Sequence, residues 1–201
     1  MGATSTAGNV EKTKSYERAE AGVYPARCIQ VVELGTRDNE YQGEVKKRKE
    51  IVIIWELSEL MEDGRPFVVS WRGTNSLSDK SKLLPLLVSW RGKAFTPEEL
   101  GKFEMKNILD KPCMINVSLA TSKAGKDYNG VISVMPLPKG MTCAERANDL
   151  VDFGIGDLGT PEFEKVYPYL QKIILDSDEG KRFMGVQAAD SYEDSGSKEA
   201  F

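Results

Sequence analysis

Apolar positions cluster early in three short runs, VYPARCIQVVEL (23–34), IVIIWEL (51–57) and FVVSWRGT (67–74). All are rich in β-branched and aromatic residues and too short for typical helices, which predicts strands. The polar stretch GTRDNEYQGEVKKRKE (35–50) is predicted as a long connection between the first two, and Asp63-Gly64 as the turn before the third. The pattern then becomes helical. Leu77, Leu83, Leu84, Leu87 and Val88 recur at three- and four-residue intervals, with Ser78 or Asp79 as a cap and Pro85 arguing against one unbroken helix. Thr96-Pro97-Glu98-Glu99 has the form of a second helix start, with Leu100, Phe103 and Ile108 on its apolar side. CMINVSLAT (113–121) and YNGVISVMPL (128–137) are predicted as two further strands around the short connection SKAGKD.

The predicted order is strand, strand, strand, helical insert, strand, strand. That is the order of an OB-fold, a partly open five-stranded Greek-key barrel that binds oligonucleotides on its strand 2–3 face with help from the 1–2 and 4–5 loops. The expected class is therefore mainly β with a helical insert, an OB-fold-like domain over residues 21–140 behind a flexible arm at 1–20. An acidic helical extension is expected at 141–187. In it Phe163, Val166, Tyr167, Leu170, Ile173 and Ile174 fall at helical spacing, and Pro168 kinks or splits the helix. Residues 188–201, AADSYEDSGSKEAF, have no apolar periodicity and are expected to be a disordered acidic tail.

Charge sharpens this division. Residues 1–140 carry 21 Lys/Arg against 18 Asp/Glu, whereas residues 141–201 carry 6 against 13. A mildly basic front and a strongly acidic back point to two jobs. The chain has no histidine, which removes the usual general base, the Ser-His-Asp and Cys-His arrangements and the commonest zinc ligand. Cys28, Cys113 and Cys143 form neither a disulfide framework nor a CxxC half-site. No apolar run reaches the length of a membrane span and the N-terminus lacks a secretory signal, so the expectation is a cytoplasmic protein with no membrane contact, no cofactor, no metal and no enzymatic activity.

Four features are candidates for binding. The run Lys46-Lys47-Arg48-Lys49 lies between Tyr41 and Trp55, and unpaired nucleic acid needs both cations for phosphates and aromatic faces for bases. As a solvated strand end between Glu44 and Glu50, the run needs no function. Trp-Arg-Gly occurs twice, at Trp71-Arg72-Gly73 and Trp90-Arg91-Gly92. Trp71 and Arg72 should face opposite sides of a strand, and the second copy closes a helix with glycine. Lys123, Lys126 and Tyr128 form a second cation-plus-aromatic cluster in the 4–5 connection. The tail offers Asp190, Glu193, Asp194, Glu199 and Phe201, acids around an aromatic that could fill a partner's pocket with a basic rim. Gly154-Ile-Gly156-Asp-Leu-Gly159 spells GxGxxG, but no strand is predicted before it and a helix opens only at Thr160-Pro161.

The stretch from Gly22 to Lys139, through AGVYPARCIQVVELG, KKRKEIVIIWEL, SWRGKAFTPEELGKFEMKNILDKPCMINV and ISVMPLPKG, resembles a family of phage-encoded OB-fold single-stranded-DNA-binding proteins. The tail resembles the acidic tip through which such proteins, bacterial and phage, recruit replication partners. The resemblance implies a protein that coats single-stranded DNA with little sequence preference during phage DNA replication or recombination. It implies replication or recombination proteins as tail partners and the host cytoplasm as its location; homo-oligomerisation is compatible with it. The alternative is a protein–protein adaptor or assembly factor that docks through the amphipathic 160–176 segment.

Overall fold

The run IVIIWEL is apolar at successive positions because its strand is covered on both sides. In the computed structural model, which describes residues 17–122 and 125–186 except Gln42 and the side chain of Tyr41, this strand is β2 (Glu44–Leu60). It lies antiparallel between β1 (Gly22–Tyr41) and β3 (Pro66–Thr74). β4 (Pro112–Thr121) and β5 (Asp127–Met135) form an antiparallel hairpin. β4 pairs with the first residues of β1, and β5 meets β3 in parallel at Ser70 and Gly130. Pairing thus runs β1–β2–β3–β5–β4 and back to β1, a ring of five strands. A sixth strand, β6 (Val151–Phe153), adds in parallel to Gln30–Val32 of β1. The architecture is mixed α/β, dominated by this six-stranded sheet.

Strand alternation sorts the side chains into two clusters. Ile51, Ile53, Trp55 and Leu57 point into the ring with Ala26, Cys28, Val69, Ile115 and Val117. Val52 and Ile54 point outward with Ile29, Val32 and Leu34. Fully burying an aliphatic side chain of this size stabilises the fold by about 1.5–3 kcal/mol, so both faces of β2 carry weight. The ring interior is closed by the insert between β3 and β4, where α1 (Leu83–Arg91) contributes Leu83, Leu87 and Trp90. Pro85 falls in the first turn of α1, where an amide would have no intrahelical acceptor, and Gly92 closes the helix at φ 75°. α2 (Pro97–Gly101) opens with the Thr96–Glu99 capping box read from the sequence, and a 3₁₀ turn at Met105–Ile108 leads to β4.

The outward cluster is covered by the C-terminal part of the chain: Phe153, Val166, Leu170 and Ile174. Three glutamates fasten it there. The Glu56 carboxylate, 4% exposed, accepts from the amides of Ala147 (2.8 Å) and Asn148 (3.1 Å) and from Asn148 Nδ2 (2.8 Å). Glu33 accepts from the Ile155 amide at 3.0 Å, and Glu179 from the amide and hydroxyl of Thr36, each at 2.7 Å. Burial pushes the Glu179 carboxyl up, but the two Thr36 donors outweigh it and hold it below its ordinary value. Gly35 has φ 79°, and a side chain there would collide with Ser177, so this approach requires glycine.

Four expectations are corrected. Residues 35–50 are no loop: β1 and β2 continue as a ladder from Gly35↔Glu50 to Tyr41↔Glu44. This ribbon projects past the ring, so no apolar alternation marked it as strand. Residues 17–20 are not a free arm, because Ala19 is buried and exchanges bonds with Asn129, its amide donating to Oδ1 (3.1 Å) and its carbonyl accepting from Nδ2 (2.7 Å). The segment 141–187 is helical only in part: it contains β6, then α3 (Pro161–Lys165), α4 (Pro168–Leu175) and helical backbone at 178–186. The break before Pro168 follows the sequence reading. Finally, a strand does precede the GxGxxG stretch, since β6 ends at Phe153. The amides of Gly154 and Ile155 already donate to the carboxylates of Asp157 (2.9 Å) and Glu33 (3.0 Å), and a phosphate would have to displace both.

Candidate functional site

The ring is tight where β2 joins β1 and β3, but β5 meets β3 through a single residue pair. Along this weak seam runs a groove of about 1100 Å³. Its floor is Val68 and Val69 of β3 with Met61 and Pro66; Asp127, Tyr128 and Asn129 of β5 form one wall. The other wall comes from the C-terminal part of the chain, with Ala147, Asn148, Tyr167 and Tyr169. Glu56 sets the position of Ala147 and Asn148, and burial of Val166 and Leu170 sets that of the tyrosines between and beside them. Tyr167 and Tyr169 flank Pro168 and lie nearly parallel, ring centroids 6.1 Å apart and planes inclined by 14°. Tyr128 and Tyr169 are each about half exposed, at 51% and 53%.

Among the described residues three cations line the same groove: Arg18, Arg65 and Lys126. Arg18 is held by its Nε, which donates to the Asp127 carbonyl at 3.0 Å. Arg65 sits in the turn before β3 and is bound by Asp63, with Nε and Nη2 donating to one carboxylate oxygen at 2.9 and 2.6 Å. Lys126 is exposed and makes no ion pair among the described residues. Ser70 adds a hydroxyl to the lining, whereas the Asn129 side chain is taken up by Ala19 and Asn148 Nδ2 by Glu56. An apolar floor, half-exposed phenol rings and cations at the edge suit a ligand with flat, stackable rings joined by anionic linkages.

The residues proposed from sequence scatter around this groove. Lys126 and Tyr128 line it. Lys123 and the tail residues Asp190, Glu193, Asp194, Glu199 and Phe201 lie outside the described residues, as does the Tyr41 side chain. Trp55 is fully buried inside the ring, its centroid 5.7 Å from that of Trp90, so its faces are closed to any ligand. Trp90 is also in the core, its indole N–H donating to the Pro112 carbonyl at 3.2 Å. Trp71 is half-buried against the interior cluster with its ring over Gly73, whose α-carbon has no room for a side chain. Arg72, on the opposite face, is exposed and pairs with Glu50.

The basic run is on the β1–β2 ribbon. Lys46 pairs with Glu44 at 2.6 Å and Lys47 with Asp178 at 2.5 Å, while Arg48 and Lys49 are exposed without an ion pair among the described residues. The hydrogen bond from Lys47 to Asp178, with the attraction of that carboxylate, holds the Lys47 ammonium above its ordinary pKa. Among the described residues, the 35–50 and 122–128 connections do not border a common cleft. The 4–5 connection stands by the first residues of β1, where Gly22 pairs with Val117, and the ribbon tip stands at the other end of that strand, where Tyr41 pairs with Glu44. The groove takes in the 4–5 connection and, among the described residues, none of 35–50.

Sequence reasoning missed Arg18, Arg65, Tyr167 and Tyr169. Arg65 follows a turn signal, Tyr167 falls among the apolar positions of the expected 160–176 helix, and Tyr169 lies outside that apolar spacing. Pro168 was the available clue, because a helix cut there frees its flanking tyrosines from helical facing. Among the described residues no group of three or more His, Cys, Asp or Glu is placed to hold a metal ion, and no helix is long and apolar enough to cross a membrane. Cys28 and Cys113 are buried, and burial pushes both thiols above their ordinary pKa. No family model, no curated protein and no solved structure matches the chain.

Proposed function

We propose that the chain is a non-enzymatic single-stranded-DNA-binding protein whose ring is an OB-fold, with the strand running along the β3–β5 seam. The observation that carries this reading is the groove in which Tyr128, Tyr167 and Tyr169 stand beside Arg18, Arg65 and Lys126. Support for the fold comes from the ring order β1–β2–β3–β5–β4, the parallel contact of β3 with β5 and the helices between β3 and β4. Bases stack on the tyrosines, and because every base has a π-face this binding discriminates little between sequences. The outer face of β1 and β2 is covered by Phe153, Val166, Leu170 and Ile174, so the strand is displaced from the middle of the sheet to the seam beside that cover. The reading includes a role in phage replication or recombination in the host cytoplasm, with the tail 188–201 recruiting partner proteins.

Titration of labelled oligo-dT and of a duplex of equal length at two salt concentrations tests the proposal. Expected are preference for the single strand and affinity that falls as salt rises. Equal affinity for the duplex, or no binding to either, overturns it. The adaptor reading loses its docking element, since Val166, Leu170 and Ile174 of the 160–176 segment are buried against the chain's own sheet.

A further inference from the structure

We propose that a second cavity, the apolar pocket between α1, α2 and the proline-marked ends of β4 and β5, receives the acidic, aromatic segment 188–201 of the same chain. The pocket encloses about 670 Å³, within the size range of built ligand sites. Its walls include Leu87, Trp90, Phe95, Phe103 and Leu137. Phe95 and Phe103 meet edge to face with centroids 5.2 Å apart, and the Arg91 guanidinium lies 4.5 Å over the Phe95 ring. Arg91 is in turn fixed by Glu99, whose carboxyl it holds down at about 2, so these walls are preset.

The rim selects the occupant. Lys102 and Lys111 both border the opening. Lys102 has only a solvent-exposed pairing with Glu98, and Lys111 makes no ion pair among the described residues. An apolar cavity with a cationic rim suits an aromatic side chain carried among carboxylates. Residues 188–201 have that chemistry twice, in Tyr192 between Asp190 and Glu193-Asp194 and in Phe201 after Glu199. The fifteen residues after Val186 reach up to about 50 Å when extended, against about 40 Å across a domain of this size. A tether of that length supplies its own segment at roughly millimolar effective concentration, which favours it over a second copy. The pocket lies by Pro112 and Pro136, at the opposite end of the β4–β5 hairpin from Lys126 and Tyr128. Its occupancy therefore leaves the seam groove open, and the inference does not depend on DNA binding.

The test uses a fluorescent peptide of residues 188–201, the full chain, and a chain ending at residue 187 that keeps every residue of the described fold. The shortened chain should bind the peptide, and the full chain about tenfold or more weakly, because its own segment competes. A peptide with Tyr192→Ala and Phe201→Ala should lose binding. Lys111→Glu, an exposed change that leaves the core intact, should weaken it several-fold even if Phe95→Ala fails to fold. Saturating oligo-dT should not displace the peptide. The inference is overturned if the shortened chain does not bind, if full and shortened chains bind equally, if oligo-dT displaces the peptide, or if the segment makes the full chain dimerise.

Discussion

Among the described residues the β1–β2 ribbon is richer in cations than the seam groove, with Lys46, Lys47, Arg48 and Lys49 in a row against Arg18, Arg65 and Lys126. What differs is the surroundings. On the ribbon, Glu44 and Asp178 already neutralise two of the four, and the tryptophan that follows in the same strand, Trp55, is closed inside the ring. In the groove, fewer cations border a concave surface with two half-exposed tyrosines, and Lys126 has no ion-pair partner among the described residues. A stacked base is worth roughly 1–3 kcal/mol, whereas an exposed ion pair is worth at most about 1 kcal/mol. On the proposed reading, convergence of rings and charges on one concavity marks the site, and cation density in sequence does not.

The largest effect that can break this contrast is removal of the groove's wall. Leu170→Ala should destabilise the fold by about 2–5 kcal/mol, read by denaturant unfolding, and should weaken oligo-dT binding because Tyr167 and Tyr169 lose their support. Next in size, Tyr128→Ala and Tyr169→Ala should each cost about 1–3 kcal/mol of single-strand affinity and leave the unfolding midpoint nearly unchanged. Lys126→Ala should lower the slope of log affinity against log salt by about one. Replacing Lys46, Arg48 and Lys49 together by alanine should change oligo-dT affinity less than either tyrosine variant does; a larger loss would move the site to the ribbon.

The smallest effect concerns how the ribbon is held. Glu179 has its carboxyl held below its ordinary value near 4.5 by Thr36. A depressed carboxyl stabilises the fold above the unfolded-state value, and that contribution disappears as pH falls through the lowered one. The difference in Tm between the native chain and Glu179→Gln should therefore be present at neutral pH and shrink progressively as pH is taken below 4.5.

Local rules made much of the fold legible. The Thr96–Glu99 capping box, the helix stop at Gly92 and the break at Pro168 were each readable from a few adjacent residues, because each depends on backbone chemistry within one turn. The continuation of β1 and β2 through 35–50 was not, since a ribbon solvated on both faces carries no hydrophobic period. β6 has only Val151, Asp152 and Phe153, too few to announce a strand. IVIIWEL is apolar on both faces, which leaves open where Trp55 points; it points into the ring, and residues 151–174 cover the opposite face of the strand. The groove was half visible. Lys126 and Tyr128 belong to one connection, whereas Arg18, Arg65, Tyr167 and Tyr169 are far apart in sequence and meet only through the ring closure and the Glu56 anchor.

Photo-cross-linking of a bromodeoxyuridine-substituted oligonucleotide, with the modified residues identified by mass spectrometry, discriminates most directly between the two regions. Adducts at Tyr128 and Tyr169, lost when unlabelled single strand competes and retained against duplex, are the expected result. Adducts confined to Tyr41 and its neighbours on the β1–β2 ribbon would contradict a strand lying along the β3–β5 seam.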